Sequence, residues 1–244
     1  MSDVVVGVDL GSSSARAVAI DRAGTVVADS AAGYAGANAW PPGRADPLAF
    51  VDAFEDAIAR LPVTRCDAIA IGGQSPTTVL ADGTDAITCL HPAGATLDPH
   101  AQHGEQYRVL RDKHGEEVEP LQLWDFVLTQ LGAPKVQGRW PGDPELPGYG
   151  SVVATGSIVG EATGAHAVTP GTPLVPGAQD AYLAFWAAGV DEPGRALNLQ
   201  MKFFRQRRID GCDLSACIHQ KLIRARVVDH DRDNYLRALD QPDA

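Results

Sequence analysis

Val4-Val-Val-Gly-Val-Asp-Leu-Gly-Ser-Ser-Ser-Ala-Arg-Ala-Val-Ala-Ile-Asp21 is the stretch from which the rest of the chain is read. The β-branched run over 4–8 is broken only by Gly7 and closed by Asp9, the composition of a buried strand. Residues 15–20 and 25–29 are two further short strands, and Asp21-Arg-Ala-Gly24 between them has hairpin-turn chemistry. Asp9 therefore stands at a strand end, followed by a tight Gly/Ser hairpin. A carboxylate there can hold Mg²⁺ or a metal-bound water. The backbone N–H groups and hydroxyls of Gly11, Ser12, Ser13 and Ser14 can cradle phosphate oxygens. The same residues would also make an ordinary polar hairpin with a turn-forming Asp. Neither GxxxxGK[ST] nor GxGxxG occurs here, which excludes the standard phosphate loops.

Moving outward, residues 33–47 read as a loop holding Trp40-Pro-Pro-Gly43. Asp46-Pro47 opens a helix whose Phe50, Phe54, Ala57, Ile58 and Leu61 share one face. Residues 66–71 are a buried strand ending in Gly72-Gly73. Residues 77–80 and 86–90 flank Asp82-Gly83 as a hairpin. Helices are expected over 101–113 and 121–131, with Leu121, Trp124, Phe126, Leu128 and Leu131 lining a core. Residues 132–150 are rich in Pro and Gly and read as loop. A weak helix of small residues is expected over 152–163, and a better one over 178–188. Strands followed by helices and further strands predict an α/β domain with a mixed sheet.

Composition sets the class. The 244 residues are 45% hydrophobic and 21% charged, which excludes a disordered chain, a coiled coil and a collagen-like polymer. A formal charge of −11 repels phosphate backbones and argues against nucleic acid as a partner for the whole chain. The four cysteines, Cys66, Cys89, Cys212 and Cys217, form no CxxC pair, as in a reduced cytosolic protein. No basic segment followed by an apolar run opens the chain, and no window approaches the ~18 apolar residues of a membrane helix. A soluble, cytoplasmic protein is expected. His91, His103, His114 and His166 have no metal-ligand spacing and read as solvated or core histidines. The charge is uneven: residues 199–244 hold nine Lys/Arg and seven Asp/Glu, one Gly and one Pro, while the first 198 hold 11 basic and 24 acidic residues. That break divides the chain near Asn198.

Val-Gly-Val-Asp9-Leu-Gly-Ser-Ser-Ser-Ala-Arg16 resembles the opening strand–hairpin–strand of the FGGY carbohydrate kinases, xylulokinase-like members of the actin/hexokinase-like ATPase superfamily. Four later segments resemble that family in its own order. They are Ala68-Ile-Ala-Ile-Gly-Gly-Gln-Ser-Pro76, Thr78-Val-Leu-Ala-Asp-Gly83, His91-Pro-Ala-Gly-Ala-Thr-Leu-Asp-Pro-His-Ala101 and the stretch over 155–189. The resemblance implies a ribonuclease H-like mixed sheet with flanking helices over 1–198. It implies phosphorylation of a sugar or polyol hydroxyl by ATP with Mg²⁺. Asp180, in Gly177-Ala-Gln-Asp180, would be the base that takes the hydroxyl proton; alone it would read as a helix cap. Asp9 would be the metal-facing carboxylate and Gly11, Ser12, Ser13 and Ser14 the phosphate cradle. Gln74, Ser75 and Asp98 would bind the sugar.

Departures from the family pattern fall at that sugar site. Thr96 replaces a Trp and His100 an Arg, and Ser75-Pro76 replaces the Arg-Glu pair of glycerol kinases, which argues against glycerol and leaves pentoses, pentuloses and polyols. The resemblance ends near Gly194-Arg-Ala-Leu-Asn198, and no second glycine-rich phosphate loop follows. A lone domain should bind sugar weakly and ATP poorly, since phosphoryl transfer needs closure of two domains. The partners to consider are a second copy or a separate chain supplying the missing domain. The basic tail over 199–244 is either a covering segment or the product of a disrupted reading frame. Leu214, Ile218, Leu222 and Ala225 would form one apolar stripe on a helix there. The alternative to an enzyme is a non-catalytic sugar-binding or interaction module derived from such a kinase.

Overall fold

The computed structural model describes residues 4–93, 99–139, 144–164, 166–179, 195–197 and 227–229. The chain divides into two compact units, Met1–Asp180 and Ala181–Ala244.

In the first unit, β1 (Val4–Leu10), β2 (Ser14–Asp21) and β3 (Val26–Gly33) form an antiparallel meander. Side chains alternate across a strand. Val6, Val8 and Leu10 therefore enter the core, and Asp9 between them projects from the other face and is exposed. The Asp21–Gly24 turn closes as the residue types predict, with Gly24 N–H donating to the Asp21 carbonyl at 3.0 Å. Gly24 sits at φ 80°, which a glycine adopts without steric cost.

α1 (Pro47–Arg60) starts where Asp46-Pro47 predicts it: the Asp46 carboxylate accepts from Leu48 N–H at 3.0 Å, with Pro in the first turn. Phe50, Phe54 and Ala57 bury one face against β2 and β3. The chain returns through β5 (Ala68–Gly73), parallel to β1. β12 (Pro173–Gln179) lies parallel to β5 on its other side, and β11 (Gly160–Glu161) closes the edge antiparallel to β12. The six-stranded order is β11-β12-β5-β1-β2-β3. α3 (Leu123–Gln130) covers β5 and β12 and touches α1, so both helices sit on one face and the main core lies between them and the sheet.

A second, antiparallel sheet orders β4 (Arg44–Ala45), β7 (Ala86–Ile87), β6 (Thr78–Leu80) and β8 (Pro120–Gln122). α2 (Pro99–His114) packs on β6 and β7. β9 (Val136–Arg139) and β10 (Ser151–Ala154) form a parallel pair.

Four expectations are corrected. Leu121 belongs to β8, so the helix expected over 121–131 begins at Leu123. The loop expected over 132–150 contains β9. Residues 152–163 are not a helix: Val152 and Val153 lie in β10, and Gly156 turns at φ 86° before β11. β-branched residues followed by two glycines favour an extended chain over a helix. Ala178 and Gln179 end β12, so no helix starts at 178. Pro173, Pro176 and Gly177 disguise β12 in the sequence. The structure tolerates Pro173 as the first residue of the strand, and Pro176 and Gly177 because β11 pairs only with Pro173 and Leu174, leaving the rest of that edge without a ladder from β11.

In the second unit, β13 (Arg195–Leu197) pairs antiparallel with β14 (Val227–Asp229). The boundary expected at 198, the stripe of Leu214, Ile218, Leu222 and Ala225, and the remainder of the 178–188 segment lie outside the described residues.

Candidate functional site

The hairpin after β1 is closed by Gly11 N–H donating to the Ser14 carbonyl at 3.0 Å. A Cβ on Gly11 would come within 3.3 Å of that carbonyl and 3.8 Å of Asp9 Oδ2, so a glycine keeps this concavity open beside the carboxylate. The hairpin is anchored from behind: the buried Tyr34 hydroxyl donates to the Gly11 carbonyl at 2.8 Å. Burial, and then the Asp9 charge, push the Tyr34 phenol far above its usual range, so it stays protonated and remains a donor. Tyr34 packs edge-on against Phe50 and stacks on Trp40, which ties the loop over 33–47 to the hairpin. The sequence named neither the partner nor the role of Tyr34.

Three parallel strands end together beside this hairpin. Asp9 is level with Gly72 and Leu10 with Gly73 between β1 and β5, and Gln179 is level with Gly73 between β12 and β5. In α/β sheets ligands collect beyond such carboxyl ends. Gly73 has no room for a side chain: a Cβ would lie 2.7 Å from the Leu10 carbonyl oxygen. Gln74 N–H donates to that same carbonyl at 2.9 Å, which fixes the start of the next loop against β1. Gln74 is buried, with its Oε1 3.8 Å from the Cys89 thiol that donates to it. Ser75 is half-buried, with Oγ 3.3 Å from His103 Nε2. The fold thus brings Asp9, Gly11, Ser12, Ser13, Ser14, Gln74 and Ser75 to one end of the central sheet. Asp98 and Asp180 lie outside the described residues, although α2 starts at the residue after Asp98 and β12 ends at the residue before Asp180.

Sequence reasoning named no partner for two further buried groups. His103, expected as a solvated or core histidine, is a core one on α2, with Nε2 3.3 Å from Ser75 Oγ. Asp125, inside the apolar run of α3, is fully buried. Gln122 Nε2 donates to its Oδ2 at 2.7 Å, and Gly138 N–H donates to Oδ1 at 3.3 Å and Oδ2 at 3.2 Å. Burial raises the carboxyl to about 7, outweighing the Gln122 and Gly138 hydrogen bonds and the Arg139 charge. Gly138 lies against β12: a Cβ there would be 2.8 Å from Pro176 Cβ and 3.3 Å from the Gly177 carbonyl oxygen. The carboxyl therefore braces the strand that leads to Asp180.

Solved structures share this architecture. The xylulose kinase from Rhodospirillum rubrum matches at 21% identity with a TM-score of 0.64, covering 80% of this chain and 53% of that one. A gluconate kinase from Lactobacillus acidophilus matches at 14% identity and 0.59, covering 80% and 52%. Plasmodium falciparum glycerol kinase with ADP matches at 11% and 0.60, covering 78% and 51%. The fold is that of the carbohydrate kinases. This is the actin/hexokinase-like architecture that the FGGY resemblance implies, and this chain spans about half the length of those kinases. No protein-family model and no curated protein matches the sequence.

Within this sugar-kinase fold the metal expectation can be tested on the donor set. Among the described residues no three His, Cys, Asp or Glu side chains gather as a metal site. One exposed carboxylate beside an open backbone cradle suits Mg²⁺, which keeps several waters and is held by one or two carboxylates together with substrate phosphates. Asp9 and the Gly11 hairpin fit that role. No helix among the described residues is long and apolar enough to cross a membrane.

Proposed function

We propose that this chain carries the sugar-side half of an ATP-dependent carbohydrate kinase, which transfers a phosphoryl group to a sugar or polyol hydroxyl. The observation that supports it best is the register of the central sheet. It places Asp9, the start of the Gln74-Ser75 loop and Gln179, one residue before Asp180, at the ends of three adjacent parallel strands. Adjacent strands lie ~4.8 Å apart, so the ends of β1 and β12, with β5 between them, are on the order of 10 Å apart. That separation leaves room for one transferred phosphoryl group between a metal-facing carboxylate and a base.

In this reading Gln74, Ser75 and Asp98 hold the polyol and exclude bulk water from its hydroxyl. Asp180 takes the hydroxyl proton as the oxygen attacks the γ-phosphorus and the bond from that phosphorus to the β-phosphate oxygen breaks, with ADP as the leaving group. Gly11, Ser12, Ser13 and Ser14 donate to phosphate oxygens, held in shape by Tyr34. Asp9 would hold Mg²⁺, which when bound neutralises charge on the phosphates. Full turnover requires a second domain to close over the nucleotide.

The test is ATP consumption with D-xylulose, gluconate and glycerol in turn, measured with the full chain and with Asp180→Asn and Asp9→Asn. Substrate-dependent consumption that both substitutions lower by two orders of magnitude or more supports the reading. Consumption that is flat across the three compounds, together with calorimetry that detects none of them bound, overturns it.

A further inference from the structure

The carboxylates of Asp21, Asp46 and Asp82 each accept the backbone N–H two residues on, from Ala23 at 2.9 Å, Leu48 at 3.0 Å and Thr84 at 3.0 Å. This is the ordinary use of an Asp in a turn, and a carboxylate that titrates near ~3.9 keeps accepting far into the acid range. His91 makes the same turn with an imidazole: its Nδ1 accepts from Ala93 N–H at 3.0 Å. Pro92 between them has no N–H and a fixed φ, so the Ala93 amide is the first donor that the turn must satisfy. An imidazole nitrogen accepts only while it is unprotonated. A proton therefore opens the turn at His91 over a range in which the three carboxylate turns stay closed.

The turn stands on the wall of the candidate site. Thr88 N–H donates to the Gly43 carbonyl at 2.9 Å, and His91 N–H to the Thr88 carbonyl at 3.0 Å. Gly43 lies so close that a Cβ on it would be 2.2 Å from His91 Cα. In the same stretch the Cys89 thiol reaches Gln74 Oε1, and the Cys89 carbonyl accepts from Gln102 Nε2 at 3.3 Å. The backbone before His91 is thus fixed, and the Nδ1 bond sets the direction in which the chain leaves it, ahead of Asp98 and α2. The charged groups around the ring come from three elements. Arg44 of β4 and Asp85, just before β7, act on it directly, while Lys113 and His114 of α2 bind the same Asp85 oxygen as Arg44. Burial, and then the Arg44 charge, lower the affinity of the ring for a proton against the pull of Asp85. The fold therefore favours the neutral, accepting form. We propose that His91 is a positioning residue whose neutral ring closes this turn, so that polyol binding at the Gln74 loop weakens when a proton opens it. The link to polyol binding rests on the kinase reading; closure of the turn by His91 does not.

Nuclear magnetic resonance on the full chain tests the turn. As pH falls from 7.5 to 5.0, exchange of the Ala93 amide with water, corrected for its intrinsic pH dependence, should accelerate. Its midpoint should match that of the His91 ring and lie below ~6.5. His91→Asn supplies an amide oxygen that makes the same turn without titrating, so Ala93 exchange should not respond to pH there. His91→Ala should leave Ala93 fast at both pH values. An Ala93 amide indifferent to the His91 ring overturns the proposal. Calorimetry then follows whichever of D-xylulose, gluconate and glycerol binds. The unaltered chain should lose roughly three- to tenfold in affinity over this range, and His91→Asn should keep its pH 7.5 affinity throughout. Asp125 titrates in both chains, so the comparison cancels it. A loss that persists in His91→Asn belongs to another group, His114 first, and overturns the positioning role. Unchanged affinity of His91→Ala at pH 7.5 overturns it as well. If the unaltered chain binds none of the three, the kinase reading fails and the link to polyol binding falls with it, while Ala93 exchange still decides whether the ring closes the turn.

Discussion

Gly177 of β12 approaches β5 so closely that a Cβ on it would lie 2.6 Å from the Ile71 carbonyl oxygen. Backbone, and not a flexible side chain, occupies that space, so the neighbour cannot yield locally. Gly177→Ala must push the end of β12 away from β5. Overpacking of this kind costs about 1–3 kcal/mol, to be read as a lower denaturation midpoint. An unchanged midpoint would contradict the strand contact.

Tyr34→Phe removes the only hydroxyl that holds the Gly11 carbonyl among the hydrogen bonds described above, while keeping the packing on Phe50 and Trp40. A loss of about 0.5–1.5 kcal/mol is expected. On the kinase reading, ATP affinity should fall and polyol affinity should not, because Tyr34 supports the hairpin and not the Gln74 loop. Calorimetry with each ligand separates the two, and equal losses would refute the assignment.

Asp125 makes stability depend on pH in a direction opposite to most carboxylates. Its folded-state value is raised to about 7 by burial, whereas an unfolded Asp titrates near ~3.9. Between these values the unfolded chain releases a proton that the folded chain retains, so this group's contribution is full below about 4 and is lost as pH rises to about 7. Asp125→Asn removes that dependence. Its stability relative to the unaltered chain should therefore rise from pH 4.5 to pH 7.5, by on the order of a few kcal/mol. Parallel denaturation curves at the two pH values would rule out a titrating Asp125.

Asp85 behaves in the usual sense. Burial pushes it up, but Lys113, His114 and Arg44, each 2.8 Å from Oδ2, outweigh burial and hold it below the ordinary carboxylate range. Its stabilisation is present above the unfolded value and is lost as pH falls through the lowered folded one. Asp85→Ala should cost roughly 2–3 kcal/mol at neutral pH, with the deficit shrinking in acid. A deficit that does not change with pH would show that the ion pairs contribute little.

Local signals suffice where a local cause exists. The strand–hairpin–strand of residues 4–21, the Asp46-Pro47 start of α1 and the glycine turns at Gly24 and Gly83 each follow from residue type and spacing within a few positions. Of the candidate site, Asp9, the Gly11–Ser14 hairpin and the Gln74-Ser75 loop were legible because they sit at the ends of strands that periodicity identifies. β10, β11 and β12 were not legible as strands: short, rich in small residues, and interrupted by Gly and Pro in β12, they carry little period of their own.

The chain's amino acids alone set Asp9 at the end of a strand and before a glycine- and serine-rich hairpin, because a β-branched run stops there at a polar residue; that Asp9 faces outward is decided by the packing of β1. Only the packed fold decides that His103 meets Ser75 across 28 positions of sequence and that Thr78 meets Tyr149 across 71. A hydrogen bond between residues so far apart depends on how α2 and β6 dock, which no local propensity encodes.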